Sequence, residues 1–192
     1  KIAYNCNNDI HLIVETTLTN KSISDSYNNL IRSTIESMAA IAGGCNELIV
    51  SEFDSLNPTD KILSERLAVN QQLILKDESY FDKIADVSCG SYYIESITDA
   101  IASKALETFK RFENEVGYFK CIEKSIFFNE INIQAKHQQD KINNQEEVSV
   151  GVNRFKNELE NLEFSQNQIE SLSNLCINNP GLNFELNNYL KS

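Results

Sequence analysis

The stretch His11-Leu12-Ile13-Val14-Glu15-Thr16-Thr17 decides the fold. Its short apolar, β-branched run has no clean in–out alternation, so it reads as a strand buried as in a parallel sheet. Downstream, Asn20 to Tyr27 is polar and loop-like, with Asp25 or Ser26 as the expected helix N-cap. Leu30, Ile31, Ile35, Met38, Ile41 and Ala42 then follow helical spacing, and Gly43-Gly44 ends the helix as glycine does at a C′ position. The cycle repeats. Leu48-Ile49-Val50 predicts a second strand, and Pro58-Thr59-Asp60 starts a helix with apolar positions at Ile62, Leu63, Leu67, Leu73 and Ile74. A third round is expected from Ile84-Ala85-Asp86, through a loop at Val87-Ser88-Cys89-Gly90, into a long apolar stripe. That stripe, Ile94, Ile97, Ile101, Ala105, Phe109, Phe112 and Val116, is read as core packing and stops at Gly117.

Strand–helix alternation of this kind implies βαβ units around a parallel sheet, hence an α/β fold. A complete (βα)8 barrel has eight such units in ~250 residues. About three rounds therefore make up less than half of one, and a chain that opens at Lys1 without Met is expected to be a fragment. Beyond the third round the sequence is more helical, with Ile122, Ile126 and Ile133 expected on one face between Lys120 and Ile142. Val148, Val150 and Val152 alternate with Ser149 and Gly151 and predict one more strand. Past Phe155 the chain is polar and rich in Asn and Glu, with one or two weak helices broken at Asn179-Pro180-Gly181.

At 41% hydrophobic and 23% charged, the 192 residues are enough for one core or part of a larger one. No apolar run approaches the ~20 residues of a membrane span. A net charge of −11 disfavours nucleic acid and anionic lipid, whose phosphates must be neutralised by Lys and Arg. Five cysteines without a CxxC pair argue against a disulfide framework or a zinc site and fit a reducing cytoplasm.

Three stretches taken together resemble the methylmalonyl-CoA mutase family. They are Tyr27-Asn28-Asn29-Leu30-Ile31-Arg32-Ser33-Thr34-Ile35-Glu36-Ser37-Met38-Ala39-Ala40 running into Gly43-Gly44, then Ser64-Glu65-Arg66-Leu67-Ala68 through Asn70-Gln71-Gln72-Leu73-Ile74-Leu75 to Glu78-Ser79, and finally Asp86-Val87-Ser88-Cys89-Gly90-Ser91-Tyr92-Tyr93-Ile94-Glu95-Ser96-Ile97-Thr98. Val150-Gly151-Val152-Asn153 is similar to the family's closing strand. The resemblance implies that residues 1–155 are the C-terminal portion of a (βα)8 TIM-like acyl-CoA mutase barrel, about three βα units plus extra helices. Residues 156–192 are then a polar, partly helical tail. It also implies interconversion of methylmalonyl-CoA and succinyl-CoA, with acyl-CoA along the barrel axis and adenosylcobalamin as cofactor. Arg32, Gly43, Gly44, Arg66, Gly90, Ser91 and Tyr92 are the family-motif positions expected to act structurally.

The same resemblance points to the small, non-catalytic subunit. The family's cobalt-ligating Asp-x-His-x-x-Gly has no counterpart, since His11 follows Asp9 but Val14 stands where glycine is needed. Where catalytic chains read like His-Thr-Gln-Thr, this sequence reads Ile13-Val14-Glu15-Thr16. Where they read Gln-Ser-Leu-His-Thr-Asn before a glutamate, it reads Asn46-Glu47-Leu48-Ile49-Val50-Ser51, with Ser55 at the glutamate position. Ile13, Glu15, Asn46, Glu47, Ile49 and Ser55 are thus expected to be degenerate substrate-site positions. A carboxylate among them repels an anionic thioester, and lost hydrogen bonds leave ligand polar groups unpaired. Glu15-Thr16, Asn20-Lys21-Ser22 and Asp25-Ser26-Tyr27 resemble the small-subunit pattern instead. Val87 and Cys89 depart from the family's third motif.

The expected partner is therefore a catalytic large subunit, in a heterodimer that carries the cobalamin, with no cofactor on this chain. Glu15, Glu47, Asp54 and Asp86 read better as solvated or paired carboxylates than as a metal site. An independently active mutase of the same family and a plain α/β interaction domain are the alternatives.

Overall fold

The computed structural model describes residues 10–83, 86–157 and 166–178. The chain divides into two compact units, meeting in sequence between Val87 and Ser88.

The first unit is built on one βαβ repeat. Strands β1 (Ile13–Glu15) and β2 (Glu47–Ile49) pair in parallel through helix α1 (Asn28–Ala42), with Ile13 opposite Glu47, Val14 opposite Leu48 and Glu15 opposite Ile49. The parallel pairing matches the sequence reading, with each three-residue strand offset by one residue from its apolar run, Leu12-Ile13-Val14 or Leu48-Ile49-Val50. Side chains close the ladder at each end. Leu12 N–H donates to Asn46 Oδ1 (2.8 Å), and beyond the other end Ser51 N–H donates to Thr16 Oγ1 (2.9 Å).

Helix α1 begins differently from the expectation. Its N-cap is Tyr27 rather than Asp25 or Ser26. Asp25 instead takes a left-handed φ of 51° and accepts from Asn28 Nδ2 at 2.6 Å. The C-terminus follows the sequence. Gly43 is the C-cap, Gly44 has φ 79°, and Gly44 N–H and Cys45 N–H return to the carbonyls of Ile41 and Ala40 at 3.0 and 3.2 Å. This is the paired-bond termination that calls for glycine at the left-handed position.

Helix α2 (Lys61–Leu73) is capped by Asp60, whose side chain accepts from Leu63 N–H, and runs into a π turn at Ile74–Glu78. The expected third strand falls partly on residues 84 and 85, outside the described residues, and Asp86 is irregular.

Apart from Ala68, apolar positions on these helices do not form the core. Asn29, Ser33 and Ser37 are the buried residues of α1, and Ser64 and Ala68 those of α2. Ile31 and Ile35 are 62% and 61% exposed, and Ile62 is 81% exposed. The unit's buried apolar residues, Ile23, Val50, Phe53, Leu56, Ala68 and Leu75, come largely from the loops after the strands.

The second unit is helical: α3 (Tyr92–Glu115), α4 (Tyr118–Glu123), α5 (Ile126–Asn143) and α6 (Gln166–Asn178). Most of the α3 stripe is not core, because Ile94, Ile97, Ile101 and Phe109 are exposed; only its end, Phe112 and Val116, is half-buried. A small core forms where Phe112 and Phe127 meet edge to face at 4.6 Å and Tyr118 packs on Phe127 at 5.7 Å, with Cys121 fully buried.

The single helix expected from Lys120 to Ile142 is broken, since Ser125 takes a left-handed φ of 57° and ends α4 before α5 begins. The strand expected at Val148–Val152 is also absent. Gly151 has φ 82°, Ser149 C=O accepts from Val152, Asn153 and Arg154, and Asn153 bonds back to Ser149, Glu147 and Ile142. The asparagine-anchored turn leaves only a bridge between Val150 and Arg154.

Candidate functional site

In a parallel pair, residues directly opposite point to the same side and neighbours along a strand alternate. Ile13, Glu15, Glu47 and Ile49 therefore share one face of the sheet, and Val14 and Leu48 lie on the other. Four of the six expected substrate-site positions are brought together. They form a checkerboard, with an isoleucine opposite a glutamate at each end. All four are exposed. Glu47 Oε1 is 2.8 Å from His11 Nε2, so this end carries an exposed pair rather than a free carboxylate.

The other two positions fall elsewhere. Asn46 precedes β2, and its side-chain oxygen is spent on Leu12 N–H. Ser55 lies in the turn after β2, where its hydroxyl donates to Glu52 C=O. The site positions thus run the length of the sheet face rather than gathering at the C-terminal strand ends. Among the described residues no three His, Cys, Asp or Glu side chains converge as a metal site would need.

The loops beyond the C-terminal strand ends hold a buried polar network, which sequence reasoning missed. Asn29 is 0% exposed. Its Oδ1 accepts from Ser22 N–H (3.0 Å) and from Arg32 Nη1 (2.7 Å), while its Nδ2 donates to Ser22 C=O and Phe53 C=O, each at 2.8 Å. Arg32 Nη1 also donates to Ser22 Oγ at 2.7 Å. Ser33 Oγ donates to Asn29 C=O, and Gln71 Nε2 from α2 reaches Leu30 C=O, Ser33 Oγ and Thr34 Oγ1 at 2.7–2.8 Å.

Beside it, Lys21 Nζ donates to both oxygens of Glu36, at 2.8 and 3.0 Å, and to Asn20 Oδ1 at 2.8 Å. Burial pulls the Lys21 ammonium below its ordinary pKa, and the Glu36 carboxylate opposes that without cancelling it. Asp54, buried in the loop after β2, accepts from Thr59 N–H and Thr59 Oγ1 at 2.8 and 3.1 Å. Burial alone would raise its carboxyl. The Thr59 and Asp60 N–H groups and the Ser64 and Thr59 hydroxyls outweigh that and hold it below the usual range. No buried side-chain nitrogen or oxygen is left unpaired among the described residues.

The one available signal for this network was the spacing of Asn29, Ser33 and Ser37, one polar stripe at intervals of four. By the ordinary amphipathic rule such a stripe faces solvent; here it faces inward.

The remaining motif positions do structural work or lie at the surface. Arg32 is part of the network, and Gly43 and Gly44 end α1. Arg66 is exposed on α2 and makes no ion pair among the described residues. In the second unit Gly90 has φ 80° and donates its N–H to Glu95 Oε1 at 2.9 Å, Ser91 is the N-cap of α3, and Tyr92 is 90% exposed.

A βαβ repeat with long structured loops beyond its strand ends defines a parallel α/β protein. Residues 3–178 match the model of the methylmalonyl-CoA mutase family. The methylmalonyl-CoA mutase small subunit of Porphyromonas gingivalis is 34% identical over 148 residues, covering 77% of this chain and 24% of that protein. The methylmalonyl-CoA mutase of Escherichia coli and the mitochondrial enzyme of Bos taurus are each 39% identical. They cover 69% and 71% of this chain and 18% of each relative. The chain belongs to the methylmalonyl-CoA mutase family, and it spans about a quarter or less of the length of these curated relatives.

Proposed function

We propose that this chain is part of a small, non-catalytic mutase subunit, contributing βα units of a (βα)8 barrel and an interface to a catalytic large subunit. In this reading the 1–155 segment belongs to the barrel domain and the rest is a tail. The holoenzyme, an isomerase, carries the adenosylcobalamin on the large subunit. The observation that carries the reading is the sheet face of Ile13, Glu15, Glu47 and Ile49. Two carboxylates and two aliphatic side chains give an anionic thioester neither a cation nor a neutral donor, and they add repulsion.

The residues present do not fit a corrinoid. His11 leads into β1 and is engaged with Glu47, and His137 is exposed along α5. The outward-facing apolar residues of α1 and α2 support a segment that is covered in a larger assembly, because isolated two-stranded parallel sheets and bare apolar helix faces are not stable end states. The test is to purify the chain alone and with a catalytic family chain. Expected are no corrinoid absorbance and no acyl-CoA binding by calorimetry for the chain alone, with stable co-elution when the partner is added. A stoichiometric corrinoid spectrum, or acyl-CoA binding lost in Glu47→Arg, refutes the reading.

One observation favours a second reading, an active mutase. Identity to the Escherichia coli and Bos taurus enzymes, at 39%, exceeds that to the small subunit. Turnover of methylmalonyl-CoA with added adenosylcobalamin and no second chain decides for it.

A further inference from the structure

The loops that follow β1 and β2 carry different sequences and close separately on α1 and α2, yet three independent contacts join them. At the base, Ser51 N–H donates to Thr16 Oγ1 at 2.9 Å. In the middle, Asn29 grips Ser22 of the first loop through both its oxygen and its nitrogen, and holds Phe53 C=O of the second with its other N–H. Above that, the Tyr27 and Phe53 rings stack with centroids 5.0 Å apart and planes 21° from parallel.

Asn29 is the pivot. A carboxamide has two donor hydrogens and two acceptor lone pairs. Here both hydrogens serve carbonyls on different loops, and the oxygen serves Ser22 and Arg32. The group is fully buried, so water cannot replace a lost partner. Arg32 joins the pivot from the first-loop side, donating to Ser22 Oγ and Asn29 Oδ1.

We propose that Asn29 is a positioning residue that locks the two strand-end loops into one body, so that they open together and not one at a time. In parallel α/β proteins these loops carry the functional groups. A lock of this kind fixes the spacing between them whether or not the chain performs chemistry, so the inference stands apart from the non-catalytic reading.

Native-state hydrogen exchange on the whole chain, in subdenaturing guanidinium, tests it. Local and global openings are separated by how protection falls with denaturant. The probes are the Ser22 amide in the first loop and the Ser55 and Asn57 amides in the second. In the unaltered chain all three should exchange through one opening, with equal protection and equal denaturant dependence. In Asn29→Ala the loops should part. Ser22, Ser55 and Asn57 should exchange at least tenfold faster relative to the amides of α1 and no longer share one denaturant slope. Asn29→Asp keeps the acceptor half facing Ser22 and Arg32 but loses the donor to Phe53, so it should free Ser55 and Asn57 more than Ser22. Gly44→Ala, which lies outside the lock, should speed all amides alike. Separate openings of the two loops in the unaltered chain overturn the proposal, with no need for a variant to fold. So does a uniform acceleration in Asn29→Ala matching that in Gly44→Ala.

Discussion

Removing either partner of the Lys21–Glu36 pair should have very unequal effects. The Lys21 side chain is 1% exposed and that of Glu36 is 22% exposed. In Glu36→Gln the ammonium stays buried. It retains Asn20 Oδ1 and a neutral amide oxygen but loses two charge-assisted bonds, at 2.8 and 3.0 Å. Hydrogen bonds to charged groups contribute about 1.5–3 kcal/mol each and an uncompensated buried charge costs about 3–5, so a loss of about 3 kcal/mol is expected. Lys21→Met removes the charge and leaves a side chain of similar length. The carboxylate left behind reaches water and still accepts from Asn20 Nδ2, so the loss should be about 1 kcal/mol or less. With a urea slope of about 1–3 kcal/mol/M, the first change lowers the midpoint by about 1–3 M and the second by a few tenths. The pH dependence gives a further check. The folded pKa of Lys21 is lowered, so between that value and the unfolded value of about 10.4 the unfolded chain holds the extra proton. Stability therefore rises with pH through that window. Glu36→Gln deepens the depression, so its deficit should shrink as pH climbs toward 10. Urea titrations at pH 7 and pH 9.5 measure both effects. If Lys21→Met loses as much as Glu36→Gln, or if the Glu36→Gln deficit is unchanged at high pH, the buried-ammonium reasoning fails.

Asp54 should govern the acid limb. Its folded pKa lies below the unfolded value of about 3.9, so its contribution is complete above that value and is lost as pH falls through the folded pKa. The substitution Asp54→Asn should cost about 1.5–3 kcal/mol at pH 7 and progressively less toward pH 3, read from urea midpoints; a constant gap contradicts it. Gly44→Ala should cost about 1–2 kcal/mol from the left-handed φ alone, because a Cβ there meets nothing within 4 Å. Gly43→Ala, at an ordinary φ of −78° and 3.3 Å from Ala39 C=O, should cost less in the same thermal melt.

The sequence reading recovered the parallel βαβ unit, the glycine stop of α1 and the start of α2 just after Pro58-Thr59-Asp60, because these rest on local chemistry. Chain direction, left-handed φ and side-chain capping are each decided within a few residues. It went wrong where the outcome depended on what a helix packs against. Periodicity marked Ile31, Ile35, Ile62 and the α3 stripe as inward, yet the three isoleucines and the stripe from Ile94 to Phe109 are exposed, and only Phe112 and Val116 turn inward. The turn at Val148–Val152 was misread for another reason. The alternation was real, but Asn153 recruits three backbone groups into a turn and Gly151 supplies the positive φ. Of the expected site, four positions do share one face, while Asn46 and Ser55 are taken up by backbone contacts that no sequence pattern announces.

The inverted patterning bears on the two family readings. Outward isoleucines on α1 and α2 are required by any assembly that covers them, so they do not separate an active mutase from an inactive subunit. The buried network does not separate them either, since Asn29 and Arg32 hold loop backbone and side chains of this chain and face no ligand group named above. In the reading proposed above, the sheet face is what separates them. Of its four positions, Glu15 and Glu47 would have to exchange charge for neutral donors before a thioester gained anything there, and Glu47 is already committed to His11. Lys21 and Ser22, two positions of the small-subunit resemblance, are taken up by the scaffold. One forms the buried ion pair and the other is the residue that Asn29 grips, so both are spent on holding the loop. In the non-catalytic reading proposed above, a loop scaffold secured by Lys21, Ser22 and Asn29 beside a sheet face of Glu15 and Glu47 would suit docking to a partner better than binding an anionic thioester.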